Sequence, residues 1–305
     1  MKISMIGIVP VLLKIMLIDS AFANLKTTVN VTVFSAKESS VNTYVFSDSQ
    51  GTLIVDSTRT SKDARELAAL ARTRGVPPKI ILITHGHPDH FMGIGVLRKE
   101  FPGAQILVPN DQIKDDIIQF EKRMETMKWM ESEPSMKSKS ESNPGGFDYQ
   151  NEIGILDSDK LTMPGGEMFE ISTDFPTTEA AHETVLYSKE LNALFPSDLV
   201  YSGVHLWLGP GVDGAAIRNW QKALAGLKSK YGPLKSKVYP GHGHFTDASV
   251  FDVDRRYMND LLTVVKGAKN EEEARREMIK RYPLWDNSDF ILVQSIRNQT
   301  KLSRQ

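Results

Sequence analysis

Seven residues, Thr84-His85-Gly86-His87-Pro88-Asp89-His90, constrain this chain more than any other stretch. They follow Lys79 to Ile83 (KIILI), which reads as a buried strand, and run into Pro88 to Glu100, which reads as a helix. His85, His87 and Asp89 alternate, so an extended loop projects them to one side, with His90 at the helix start. A core strand that ends in so many imidazole and carboxylate groups would bury polar atoms at a cost unless something binds them. Neutral imidazoles and a carboxylate are good ligands for zinc or iron.

Composition sharpens that reading. The chain has 305 residues, 7 histidines and no cysteine. A disulfide framework, a thiol nucleophile and any Cys-ligated metal are excluded, so a metal site must be built from imidazole and carboxylate. Hydrophobic residues at 40% and charged residues at 25% are ordinary for a globular protein. With 37 basic against 38 acidic residues, no general field gathers nucleic acid or anionic lipid. The length admits one large α/β domain or two smaller ones.

Residues 1–23 read as a signal peptide: Lys2 is basic, an apolar run follows, and Ala21-Phe22-Ala23 has the A-x-A cleavage form. Lys14 interrupts the run, which falls short of the roughly 20 apolar residues a membrane span needs. The expectation is a periplasmic or secreted protein with no stable membrane span after processing.

Strand-like runs open the rest of the chain at Thr28 to Ser35, Asn42 to Ser47 and Thr52 to Asp56. Ser61 to Arg74 reads as a helix and Gln105 to Val108 as a strand. Asp111 to Met130 is helical, with Ile113, Ile117, Phe120, Met124 and Met127 along one face. That stripe is either core packing or a flap over a binding site. Glu131 to Gly146 is polar and rich in Pro, Gly and Ser, and reads as an exposed, mobile loop that closes an insertion of about 111–147. Short strands return from Glu152 to Ser197 and at Leu199 to Tyr201, followed by a helix from Gly214 to Lys230 and a strand from Lys237 to Tyr239. Three helices close the chain: Asp247 to Lys266, Asn270 to Tyr282 and Phe290 to Leu302.

The segment from His85 to His90 resembles the HxHxDH signature of the metallo-β-lactamase superfamily, and later residues follow in matching order. His182 lies in AAHETVLY, Asp198 in LFPSDLV and His242 in YPGHGH. The resemblance implies an α/β fold, a four-layer αββα sandwich spanning residues 24–247, with 248–305 as a helical extension packed on the same domain. It also implies two zinc ions, with iron or manganese as alternatives. His85, His87 and His182 would bind the first, Asp89, His90 and His242 the second, and Asp198 would bridge them. Ser197 stands where many relatives have glycine. The absent cysteine separates this chain from β-lactamases that place one in the second site.

The function so implied is an exported dinuclear zinc hydrolase whose metal-bridging hydroxide cleaves a lactone, lactam or ester-type bond in a small molecule. Asp89 would double as the proton shuttle. An iron-dependent, dioxygenase-like oxidoreductase and a phosphodiesterase or nuclease are the alternatives, the nuclease being disfavoured by the neutral charge balance. Asp56, ending the strand TLIVD, is the candidate acceptor behind a ligand histidine. Tyr201, His205 and Trp207, on the stretch after Asp198, and Phe91, beside His90, are candidate substrate contacts. Oligomeric state is not legible.

Overall fold

A computed structural model describes residues 28–37, 40–130 and 133–304. The signal-peptide reading therefore lies outside the described residues.

The first sheet runs in chain order through β1 (Asn30–Ser35), β2 (Asn42–Ser47), β3 (Thr52–Val55), β4 (Pro78–Leu82), β5 (Gln105–Val108) and β6 (Ile153–Ile155). Its first three strands are antiparallel neighbours, and β3 to β6 pair in parallel. The remaining strands are β7 (Lys160–Thr162), β8 (Met168–Ser172), β9 (Val185–Ser188), β10 (Ala193–Phe195), β11 (Tyr201–Ser202), β12 (Lys237–Val238), β13 (His242–Gly243) and β14 (Thr246–Asp247). The second sheet has the order β14-β12-β10-β9-β8-β7, and β11 and β13 form a small parallel ribbon of their own.

Side-chain alternation explains why these short strands are apolar on both faces. Tyr44, Phe46, Leu53 and Val55 of the first sheet meet Phe169, Ile171, Leu186 and Phe195 of the second in an inter-sheet core. Phe46 sits edge-on to Phe169 and Phe195, at 4.7 and 4.9 Å between ring centres. The intervening Val45, Ile54 and Ile81 point outward, under α1 (Ser61–Arg72), α2 (Pro88–Phe91), α3 (Ile94–Glu100) and α4 (Asp111–Thr126). On the far side Val185, Tyr187, Leu194 and Val238 are covered by α5 (Gly214–Tyr231), α6 (Val250–Gly267), α7 (Glu271–Arg281) and α8 (Ile291–Ser303). Helix, sheet, sheet and helix thus form four layers, and the C-terminal helices share one core with α5.

Caps set several helix starts. Thr60, Asn110, Asp213 and Asn270 each accept a hydrogen bond from a backbone N–H of the first turn. The Glu273 carboxylate also reaches back past the Asn270 cap to accept the Lys269 N–H at 2.7 Å.

Four sequence expectations change. The single helix from Pro88 to Glu100 is broken after Phe91, because the Gly93 N–H bonds Thr58 O and the backbone there leaves no room for a side chain. A Cβ on Gly93 would lie 2.1 Å from Ser57 O. The helix from Asp111 ends at Thr126, and Lys128 beyond it has φ 57. Ser197 to Leu199 forms a 3₁₀ turn before β11, in place of a strand at Leu199. Lastly, the polar stretch after Met130 is anchored: Ser135 and Met136 are buried, and Met136 O accepts the Tyr149 hydroxyl at 2.6 Å. Its apolar residues join the core under the first sheet, which outweighs the polar composition around them.

Candidate metal centre

The loop after β4 delivers His85, His87, Asp89 and His90 to one end of the sandwich. There it meets the turn carrying Asp198 after β10 and the strand β13 carrying His242. Asp198 lies between the contributors. Its Oδ2 is 3.0 Å from His242 Nε2 and 3.8 Å from His85 Nε2, and its Oδ1 is 3.1 Å from His90 Nε2. Asp89 Oδ2 is 3.7 Å from His242 Nε2.

Ligand atoms of His85, His87, Glu179 and Asp198 form one group within 4.8 Å of one another, and those of Asp89, His90 and His242 form another. His85 Nε2, His90 Nε2 and Asp198 Oδ1 are buried without a satisfied hydrogen bond. Orphaned ligand-type atoms in both groups are what bound cations would resolve.

The supports are specific. Asp56 takes the Thr84 backbone N–H at 2.9 Å and stands 2.8 Å from His90 Nδ1, leaving His90 Nε2 facing the centre. This geometry needs φ 67 at Asp56, a left-handed conformation that Asp tolerates better than most residues. His85 Nδ1 lies 3.0 Å from Thr84 Oγ1 and 3.2 Å from Ser197 Oγ. Ser197 has φ 49, a left-handed conformation that favours glycine, and its hydroxyl contacts offset the strain. Gly241 has no alternative, since a Cβ there would sit 2.0 Å from Asp198 Oδ1. Asn42 Nδ2 donates to Pro240 O and Gly243 O, fixing the loop that presents His242.

Electrostatics follow from crowding charges out of water. Burial raises the Asp198 carboxyl, but His242 and His90 outweigh it and hold it well below the usual carboxylate range. His90 is raised well above the ordinary imidazole value, because Asp198 and Asp56 overcome the burial that opposes it. His85 is lowered well below it, by burial and then by His90. Burial, together with Asp198, pushes Glu179 well up, and burial with Glu179 does the same to Glu183.

A cavity of about 190 Å³ opens above these residues. His87, Asp89, Glu179, Asp198, Tyr201 and His242 form its floor. One wall is Phe120, Met124 and Met127 of the α4 region with Trp129; the other is Trp207 with Phe290, Ile291 and Gln294 at the start of α8. The α4 stripe therefore divides: Ile113 and Ile117 are core, Met124 serves both core and cavity, and Phe120 and Met127 face the cavity. Arg59 and Arg123 add cationic groups to the lining. Tyr201 stacks on His242 with 4.7 Å between ring centres and 4° between planes, and its hydroxyl donates to Asp198 Oδ2 at 3.0 Å.

Among the sequence candidates, Tyr201 and Trp207 reach the cavity. Phe91 does not: one residue past His90 on a helix turns it about 100° away, and it is fully buried against Tyr149. His205 is also buried, because its backbone N–H pairs with Asp286 O and its ring packs on Tyr257 and Trp285. His205 Nδ1 lies 2.9 Å from the Tyr257 hydroxyl, and burial, then Arg275, lowers the ring to about 4. His182 is not brought into either ligand group. Its side chain is 39% exposed and its Nδ1 is 2.7 Å from Asp116 Oδ2 on α4. Glu179 stands in the cluster instead, with Oε1 3.0 Å from His87 Nδ1. Sequence reasoning missed Glu179 because three residues from a motif-like histidine nothing in local spacing marks it. It also missed the α8 residues and Arg123, which only tertiary packing brings near.

The family model described as the metallo-β-lactamase superfamily matches residues 36–244. No curated protein sequence matches the chain significantly. Among solved structures, a metallo-β-lactamase family protein from Thermus thermophilus is similar over 90% of this chain and 93% of its own, with TM-score 0.63 and 16% identity. A metallo-β-lactamase from Pontibacter korlensis aligns over 77% of this chain and 95% of its own, with TM-score 0.51 and 18% identity. The DIM-1 metallo-β-lactamase, in a crystal exposed to ceftazidime, aligns over 77% and 93%, with TM-score 0.50 and 16% identity.

Proposed function

The chain belongs to the metallo-β-lactamase superfamily, and we propose that it is an exported, dinuclear zinc-dependent hydrolase of a small, partly apolar substrate carrying a lactone, lactam or ester-type bond. The observation that carries this reading is the position of Asp198, between two groups of convergent ligand atoms on the floor of an apolar-walled cavity. Their orphaned atoms fit divalent cations. His85 and His87 would hold one, Asp89, His90 and His242 the other, with Asp198 shared. Bound cations would ease deprotonation of a water and polarise the scissile carbonyl.

The chain's own residues then do the following. Asp89, lining the cavity, accepts the proton of the attacking water as its oxygen bonds to the carbonyl carbon. It returns that proton to the leaving oxygen or nitrogen as the carbon–heteroatom bond breaks. Tyr201, whose hydroxyl burial keeps protonated, donates to Asp198 and orients it. Asp56 fixes the face that His90 presents. The Met and aromatic walls seat the apolar part of the substrate and exclude bulk water. Among the described residues no helix is long and apolar enough to cross a membrane. The signal-peptide pattern of residues 1–23 supports export.

The test is metal analysis of protein purified without added metal, followed by turnover of lactones, β-lactams, aryl esters and phosphodiesters. Two zinc ions per chain and hydrolysis of a cyclic or ester carbonyl are expected. Two irons with oxygen uptake, or cleavage of phosphodiesters alone, would replace this reading. Export is checked by fractionating expressing cells and sequencing the mature N-terminus, which should be Asn24.

A further inference from the structure

The segment between β8 and β9 offers two candidates to the first metal position, and only one of them faces it. Glu179 is 3% exposed and places Oε1 3.0 Å from His87 Nδ1. Its carboxylate falls within 4.8 Å of ligand atoms of His85, His87 and Asp198. The neighbouring His85 Nε2 and the second Glu179 oxygen, Oε2, are buried with no hydrogen-bond partner. His182 belongs to a different structure. It pairs with Asp116 on α4, and α4 lies so close to the metal-binding loop there that a Cβ on Gly86 would meet Asp116 Cβ at 2.6 Å. Thr184 Oγ1 donates to Thr84 O and pins the segment in this register.

Resting on the dinuclear reading above, we propose that Glu179, and not His182, completes the first metal position, and that His182 is a positioning residue clasping α4 to the rim of the site. The first position then consists of His85, His87, the Glu179 carboxylate and shared Asp198. It carries one more negative charge than a three-histidine set and has harder oxygen character, which suits Mn²⁺ and Fe²⁺ better than an all-imidazole set does. His182 acts through Asp116 on the wall that bears Phe120, Met124 and Met127.

The experiment counts metal in full-length protein stripped by chelator, reloaded with Zn²⁺ or Co²⁺ and dialysed. Circular dichroism of the same samples reports folding. Wild type should retain two equivalents. Glu179→Gln, which keeps the side-chain volume, should retain one and lose part of the Co²⁺ visible absorption. His182→Ala should retain two with an unchanged Co²⁺ spectrum, while its α4 becomes more susceptible to proteolysis. The His182 variant alters a half-exposed side chain, so it can overturn the proposal even if the Glu179 variant fails to fold, in which case Glu179→Asp, which keeps the carboxylate, should retain two equivalents. Loss of one equivalent in His182→Ala, alone or alongside Glu179→Gln, overturns the proposal. Two equivalents retained by folded Glu179→Gln also overturns it. A wild-type protein that takes up no metal instead removes the dinuclear reading on which the proposal stands.

Discussion

The two halves of the sandwich furnish the same centre in opposite ways. The N-terminal half supplies His85, His87, Asp89 and His90 from a single turn after β4, backed by Asp56 at the end of the neighbouring strand. The C-terminal half brings Glu179, Asp198 and His242 to the cluster one at a time, from the β8–β9 connection, the turn after β10 and strand β13. The first arrangement makes the ligands' mutual geometry a local property of one loop. The second makes it a property of tertiary packing, held by Gly241, Asn42 and the Tyr201–His242 stack.

The largest test of this contrast is Asp198→Ala. A lone ligand from the packed half touches both metal groups, so its loss should remove both equivalents and leave only background turnover, as metal analysis and kinetics would show. Retention of either metal would mean that the local turn suffices alone. Next is His205, the packed half's buried titratable ring. It is lowered to about 4 by burial and then by Arg275, against an ordinary value of 6.5. The unfolded chain therefore takes up a proton that the folded chain refuses. This penalty is absent above about pH 6.5 and grows as the pH falls towards 4, reaching about 3 kcal/mol. Urea unfolding at pH 7 and pH 4.5 should show wild type losing more stability than His205→Leu across that interval. Equal losses would place the ring's titration elsewhere.

How much was readable without coordinates divides along the same line. The turn from His85 to His90 was legible because chemistry and spacing coincide within six residues. Asp198 and His242 were found only by their order relative to that turn. A linear pattern favours His182, the more conspicuous ligand type, whereas only Glu179 lies among the clustered ligand atoms, and burial, which separates the two, is invisible in sequence. The four layers came from the resemblance to the superfamily. The break at Gly93 was not, because its cause is the approach of Ser57 O from another segment. The assignments of His205 and Phe91 to the substrate failed for a related reason: proximity along the chain is not proximity of side chains.

Smaller effects sharpen the contrast. Asp56→Asn keeps the shape of the local half but weakens the acceptor behind His90. Metal affinity at the second position should drop about 10–100-fold by competitive chelation, with the first position nearly unaffected. An equal loss at both would show that the turn acts as one unit. Trp207→Ala removes a wall, not a ligand, and should raise KM about tenfold for an apolar substrate, worth about 1.4 kcal/mol, with kcat preserved. Ser197→Gly should move stability by no more than about 1 kcal/mol in thermal melts. Relief of the left-handed strain opposes loss of hydroxyl contacts to Thr84 and His85. A larger loss would show that the hydroxyl, more than backbone shape, orients His85.

The walls of the cavity lie on α4, α8 and the segments that flank them, with Trp207, while its floor is set by strand ends and the loops between them. Met127, Phe290 and Gln294 line the cavity away from the candidate ligands, whereas Phe120 packs edge-on against His87 with 5.5 Å between ring centres. If the cavity holds a substrate as proposed, its selectivity can drift over generations through these wall residues while the cluster beneath is inherited intact.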